Sequence, residues 1–231
     1  MTRLAEGSRC RRRATLVNRK ERRSDTVLEG VRARLHHIAP DIANALLPPA
    51  SDAQLAALES ALGQSLPPDL TELYRESAGL DPDATANFAC ALSFMSVDEV
   101  LDTVESDQAD EPVAARFADA GIQPVMTLGK QRVVIGTDFA RCHLCIDLIP
   151  TADGTRGQIV FLDSEHAVAL LLAPSMRVFV RQFEDDLAAG KYTLSADALD
   201  DGVQWLQATR EIDIVNWYSS STWAYVERVM G

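Results

Sequence analysis

The sequence predicts an α+β fold, an antiparallel sheet flanked by helices, with a disordered basic leader at its N-terminus. Three observations carry this expectation. Apolar residues recur at helical spacing through residues 26–79 and again from residue 96 to 105. Four short strand-like runs then follow one another closely between residues 133 and 172. Helical spacing returns after residue 175. Helices, then strands, then helices is the order of an α+β domain whose sheet is covered on one side, and such tight strand spacing favours an antiparallel meander over parallel crossovers.

Each element has a local cause. Residues 1–24 show no apolar periodicity and are rich in Arg and Ser, so they read as a disordered leader. Their two basic clusters also fit an RNA-binding or targeting arm, or a start codon set too far upstream, and the last is favoured. A helix is expected to begin near Thr26, capped by Ser24 or Asp25, with Val27, Val31, Leu35 and Ile38 along one face, in a region ended by Pro48 and Pro49. A second starts at Asp52, presents Leu55, Leu58 and Leu62, and is closed by Gly63. A third begins at Leu66-Pro67-Pro68, buries Leu70, Leu73 and Tyr74, and is stopped by Gly79. Residues 90–95 read as a strand. Ser96 and Glu99 then form a capping box for a helix with Val97, Val100, Leu101 and Val104 inside and Asp98, Asp102 and Glu105 outside. Strands are expected over 133–137, 143–149, 158–163 and 167–172, with Asp153-Gly154 and Gly157 marking a turn. Pro174-Ser175 opens a helix burying Met176, Phe179, Val180, Phe183 and Leu187, ended by Gly190. The last forty or so residues look helical or irregular. Their Trp205, Trp217 and Trp223 are expected to pack onto what precedes them, with partner contact the lesser alternative.

The net charge of −12 is unevenly spread. Residues 1–37 hold eleven Lys/Arg against four acids, while the remaining residues hold eleven against thirty. A body with a net charge of −19 repels nucleic acid and anionic membranes and attracts basic partners. The longest apolar run, residues 167–173, is too short to span a bilayer, and no apolar core follows the basic N-terminus as a signal peptide requires. Four cysteines (Cys10, Cys90, Cys142, Cys145) give no disulfide framework, and a reducing cytoplasm is the expected location.

Signatures of common enzymes are missing: no P-loop, dinucleotide fingerprint, nucleophile elbow or H-E-x-x-H. The strongest metal candidate is Cys142-His143-Leu144-Cys145 with Asp163 or His166. It supplies one ligand pair where a closed zinc site needs two, and a strand would point Cys142 and Cys145 to opposite faces, so no metal is expected. The acid groups Asp81/Asp83, Asp163/Glu165 and Glu184/Asp185/Asp186 read as solvated surface rather than general acid–base pairs. No catalytic residue and no cofactor are expected.

Two stretches resemble a known family. Ala50-Ser51-x-x-Gln54-Leu55-x-x-Leu58-Glu59-x-x-Leu62-Gly63-x-x-Leu66-Pro67-x-Asp69-Leu70-x-x-Leu73-Tyr74, then Ser77-Ala78-Gly79, is similar to the opening of Smi/Knr-type domains of the SUKH superfamily. Leu144-Cys145-Ile146-Asp147-Leu148-Ile149-Pro150, then Gly157-Gln158-Ile159 and Ala173-Pro174-Ser175, resembles its second half. Together they cover about residues 27–195, and Ala78 and Met176 depart from the usual Asn and Phe. The resemblance implies a SUKH fold over residues 25–195; residues 196–231 lie outside it and are expected to form a helical extension packed on that domain. It implies structural roles for Leu66, Pro67, Gly79, Asp147, Pro150, Gly157 and Ser175, and it brings no catalytic residues. It further implies a protein-binding scaffold: an immunity protein that neutralises a cognate toxin, often a nuclease, or a regulator of cell-wall assembly or signalling. The acidic body fits a basic toxin, met through Asp98, Asp102 and Glu105 or through Asp81 and Asp83. A hydrolase-like enzyme ranks last.

Overall fold

The computed structural model describes residues 26–106 and 113–230 of the 231. The basic leader, Ser24 and Asp25 lie outside the described residues. Helix α1 spans Glu29–Ile38 and buries Val31 and Leu35, but its N-cap is Leu28, with no side-chain cap. Instead the Glu76 carboxylate, from a remote helix end, accepts from the Val27 and Leu28 N–H groups, placing a negative charge where the helix dipole is positive. The chain breaks at Ala39, and Pro40 opens a separate helix α2 (Pro40–Asn44), because proline cannot continue the α1 ladder.

Helix α3 (Asp52–Leu62) begins with a reciprocal box between Ser51 and Gln54 and ends in left-handed Gly63. Helix α4 (Pro68–Glu76) buries Leu70, Leu73 and Tyr74. It ends before Ser77, whose backbone is already extended, so Gly79 is not its stop. Gly79 has φ +114°, and a Cβ there would lie 2.5 Å from the Met95 carbonyl oxygen. It is glycine because two backbones meet there.

Residues 90–95 do not form the expected strand. Residues Ala89–Ala91 make a 3-10 turn in which Cys90 and Ala91 both have positive φ. Beyond it the segment runs along the sheet edge, Ser93 and Met95 donating to the carbonyls of Thr137 and Ile135. Gly136 permits this approach, since a Cβ there would sit 2.4 Å from the Ser93 oxygen. Helix α5 (Val97–Ser106) has its capping box: Ser96 N–H donates to Glu99 Oε2 at 2.8 Å and Glu99 N–H to Ser96 Oγ at 3.2 Å.

The sheet contains β1 (Phe117–Ala118), β2 (Arg132–Thr137), β3 (Cys142–Asp147), β4 (Gln158–Asp163) and β5 (Val168–Ala173), in the order β1-β5-β4-β3-β2. From β2 to β5 it is the antiparallel meander. The two-residue β1, which the sequence did not announce, pairs parallel to β5. The sheet is covered on both sides, not one: every residue of β4 is buried. On one face Leu144 and Ile135 meet Leu73 of α4 and Met176 and Phe179 of α6 (Met176–Ala188). On the other, Arg132 reaches across to the backbone of residues 123–125.

The C-terminal residues are more ordered than expected. A two-stranded ribbon of β6 (Tyr192–Leu194) and β7 (Leu206–Ala208) encloses a short α7 (Ala196–Asp200), and α8 (Ala224–Met230) follows. Leu206, Ile214, Trp217 and Val226 enter the same buried cluster as the sheet residues. Among the described residues no helix is long and apolar enough to cross a membrane.

Candidate functional site

The residues of the two motif stretches build the frame. Arg132, Asp147 and Gln158 are cross-strand neighbours on β2, β3 and β4. Arg132 and Asp147 have fully buried side chains, Nε to Oδ1 3.5 Å, an ion-pair contact too long to be a hydrogen bond. Arg132 spends its terminal nitrogens on the carbonyls of Val125 and Gln123. Asp147 accepts from Ile149 N–H at 3.1 Å and from Gln158 Nε2 at 2.9 Å, and Gln158 also donates to Gly121 O. Gly157 (φ +90°) faces Pro67, whose Cβ would lie 2.9 Å from an added Cβ, so the two halves of the pattern touch. Leu66 is buried, its N–H donating to Glu59. Pro67 holds the N-cap of α4, Ser175 caps α6 by accepting from Val178 N–H, and Pro150 packs against Gly154.

A second polar cluster sits at the opposite end of β4. Asp163, its side chain fully buried, accepts from Arg141 Nη1, Trp217 Nε1 (3.0 Å) and the His166 N–H (3.0 Å), with His166 Nδ1 also 3.0 Å away. Burial pushes its pKa up, but the Trp217 and His166 hydrogen bonds and the Arg141 charge outweigh this and hold it below the ordinary carboxylate value. Arg141 also donates to the Val215 carbonyl. This cluster ties the C-terminal segment to the sheet. Cys142 lies opposite Asp163, whereas Cys145 pairs across to Val134 and Val160. Both thiols are pushed up, first of all by burial. Among the described residues no three His, Cys, Asp or Glu side chains stand together as metal ligands.

The five acidic candidates fall on two elements. Asp98, Asp102 and Glu105 are exposed along α5; Asp83 is exposed and Asp81 half-buried in the loop after Gly79. Asp98 accepts from Gln54 Nε2 at 3.0 Å, and Asp81 Oδ1 accepts from Asp83 N–H at 3.0 Å. None of the five has a cationic partner among the described residues.

Asp102 also belongs to a feature that sequence reasoning missed. Together with Met95, Leu128, Val134 and His143 it lines an open groove of about 480 Å³ between α5 and the β2–β3 hairpin. At its rim stands Phe139, 76% exposed with φ 59°. The available signal was an aromatic beside Asp138, a turn former, between two strand-like runs.

No curated protein matches the chain. The model of the SMI1 / KNR4 family (SUKH-1) matches residues 49–182, more than half of the chain though less than the 27–195 span of the resemblance. It takes in α3 to most of α6 and both contacting motif stretches; the chain belongs to the SMI1 / KNR4 family (SUKH-1).

Proposed function

We propose that this chain is a non-enzymatic, cytoplasmic protein-binding domain of immunity type, which neutralises a basic toxin domain by covering it. The observation that carries the reading is the row of carboxylates on α5, without cationic partners among the described residues, on a strongly acidic body. Surface charges left unpaired cost little in water and become favourable when an oppositely charged surface docks, raising both encounter rate and selectivity. The three thiols among the described residues support a non-catalytic reading, because burial raises Cys90 to about 12 and Cys142 and Cys145 further, far from the range of a working nucleophile.

Co-purification from the native host tests this. The wild-type chain is expected to retain one basic protein, and changing Asp98, Asp102 and Glu105 to Lys is expected to weaken that association at least ~10-fold. Retention of the same partner by the charge-reversed chain removes α5 from the interface. Recovery of several envelope or signalling proteins instead favours a regulatory scaffold, the second role that membership of this family allows.

A further inference from the structure

We propose that the β2–β3 hairpin tip and the groove beside it form a docking site for a basic polypeptide segment, which sets one apolar side chain against Phe139 and a lysine or arginine against Asp102. The proposal rests on the protein-binding reading above and names the surface and the chemistry of what it takes.

Phe139 is not a stray surface residue. A bulky side chain in the left-handed region is strained and persists only where its surroundings over-determine it. Here they do. One oxygen of Asp138 accepts the N–H groups of Ala140, Arg141 and Cys142 at 2.9, 3.0 and 2.9 Å, and Thr137 Oγ1 accepts the Phe139 N–H at 2.9 Å. The tip is locked, and the lock holds an aromatic ring out in water. An apolar group fixed in advance loses little conformational freedom on binding, and rigid aromatic rings are the usual anchors of interfaces.

The groove says what would bind there. Leu128, Val134 and Met95 give it an apolar floor. Its ionisable lining is Glu99, Asp102 and His143; Glu99 is engaged with Ser96, whereas Asp102 has no cationic partner among the described residues. His143 Nδ1 is buried with no hydrogen-bond partner among the described residues, so the ring brings no committed polar contact to the groove. Burial lowers the His143 pKa, against the opposing pull of Asp138 and Asp163, so at neutral pH the ring adds no positive charge to compete for Asp102. Asp98 and Glu105 continue the acidic wall along α5. An apolar floor with a one-sign wall fits a segment that alternates apolar and basic residues. A second copy would set acid against acid, and an anionic bilayer would meet the same repulsion.

The test is selection of a phage-displayed random dodecapeptide library on the immobilised full chain, followed by binding of the enriched peptides, made synthetically, to variants. Enriched sequences are expected to carry an aromatic or aliphatic residue within a few positions of Lys or Arg. Their affinity is expected to fall at least 10-fold for Phe139→Gly and for Asp102→Lys. Phe139→Gly relieves the left-handed strain, so its thermal midpoint should be unchanged or raised while binding is lost; a merely structural residue would not move the two in opposite directions. Peptides that bind both variants as well as wild type overturn the docking site and leave protein binding standing. Loss on Asp102→Lys alone overturns the role of the hairpin. No enrichment, with a partner still recovered from the native host, overturns the linear-segment mode; no enrichment and no partner overturns the protein-binding reading as well.

Discussion

The Arg132 guanidinium lies wholly out of water, facing one carboxylate at ion-pair distance and two backbone carbonyls. Removing a charge from water costs several kcal/mol, and its partner repays this only while both are present. Arg132→Ala would leave the Asp147 carboxylate buried and uncompensated, and is expected to lower stability by about 3–5 kcal/mol in urea unfolding. Replacing the pair together, Arg132→Met with Asp147→Leu, is expected to cost clearly less than the sum of the single changes. A coupling below about 0.5 kcal/mol would show that the two act independently. Asp147 was legible as a structural residue through the resemblance, but its partner was not. Arg132 follows Lys130 and Gln131, and nothing in that polar run marks one arginine as interior. Only the register, which sets Arg132 opposite Asp147, makes it so.

At the scale of elements, the C-terminal segment is held to the sheet through Asp163. Its lowered pKa fixes the sign of a pH effect. A carboxylate depressed by folding adds stability that is fully present above its unfolded value, about 3.9, and is lost as pH falls through the folded value. Asp163→Asn is therefore expected to destabilise the protein at pH 7, with the gap to wild type closing below about pH 4. Fluorescence of the buried Trp217 reports it, and a gap independent of pH would assign the loss to shape rather than charge. Helices α3, α5 and α6 and strands β2 to β5 were readable because caps and periodicity repeat over many residues. The two-residue β1 and three-residue β6 and β7 carry no such period, and tertiary contacts alone create them. Residues 92–95 have strand-like composition, but the left-handed pair Cys90-Ala91 delivers them to the sheet edge as an irregular strap. In the candidate site, the acidic stripe of α5 was visible as an amphipathic pattern. Phe139 was not, because the conformation of a turn decides whether its ring points out or in.

For the molecule as a whole, the core does not stop at the end of the family match. The side chain of Asn87, fully buried, exchanges two 2.8 Å hydrogen bonds with the backbone of Leu206, and Trp217 is only 3% exposed. Ending the chain after residue 189 is expected to cost several kcal/mol, since two or three core side chains at ~1.5–3 kcal/mol each would meet water. An unchanged urea midpoint would make residues 190–231 an appendage. The strap along β2 has a separate consequence, for behaviour in concentrated solution. A strand edge with free carbonyls and N–H groups is a template on which other chains add strands. Here the carbonyls of Ile135 and Thr137 are already taken by Met95 and Ser93 of the same chain, through a gap that Gly136 leaves open. Fibril growth from this edge must therefore wait until residues 92–95 peel away, so resistance to aggregation is set by how firmly one short irregular segment stays in place.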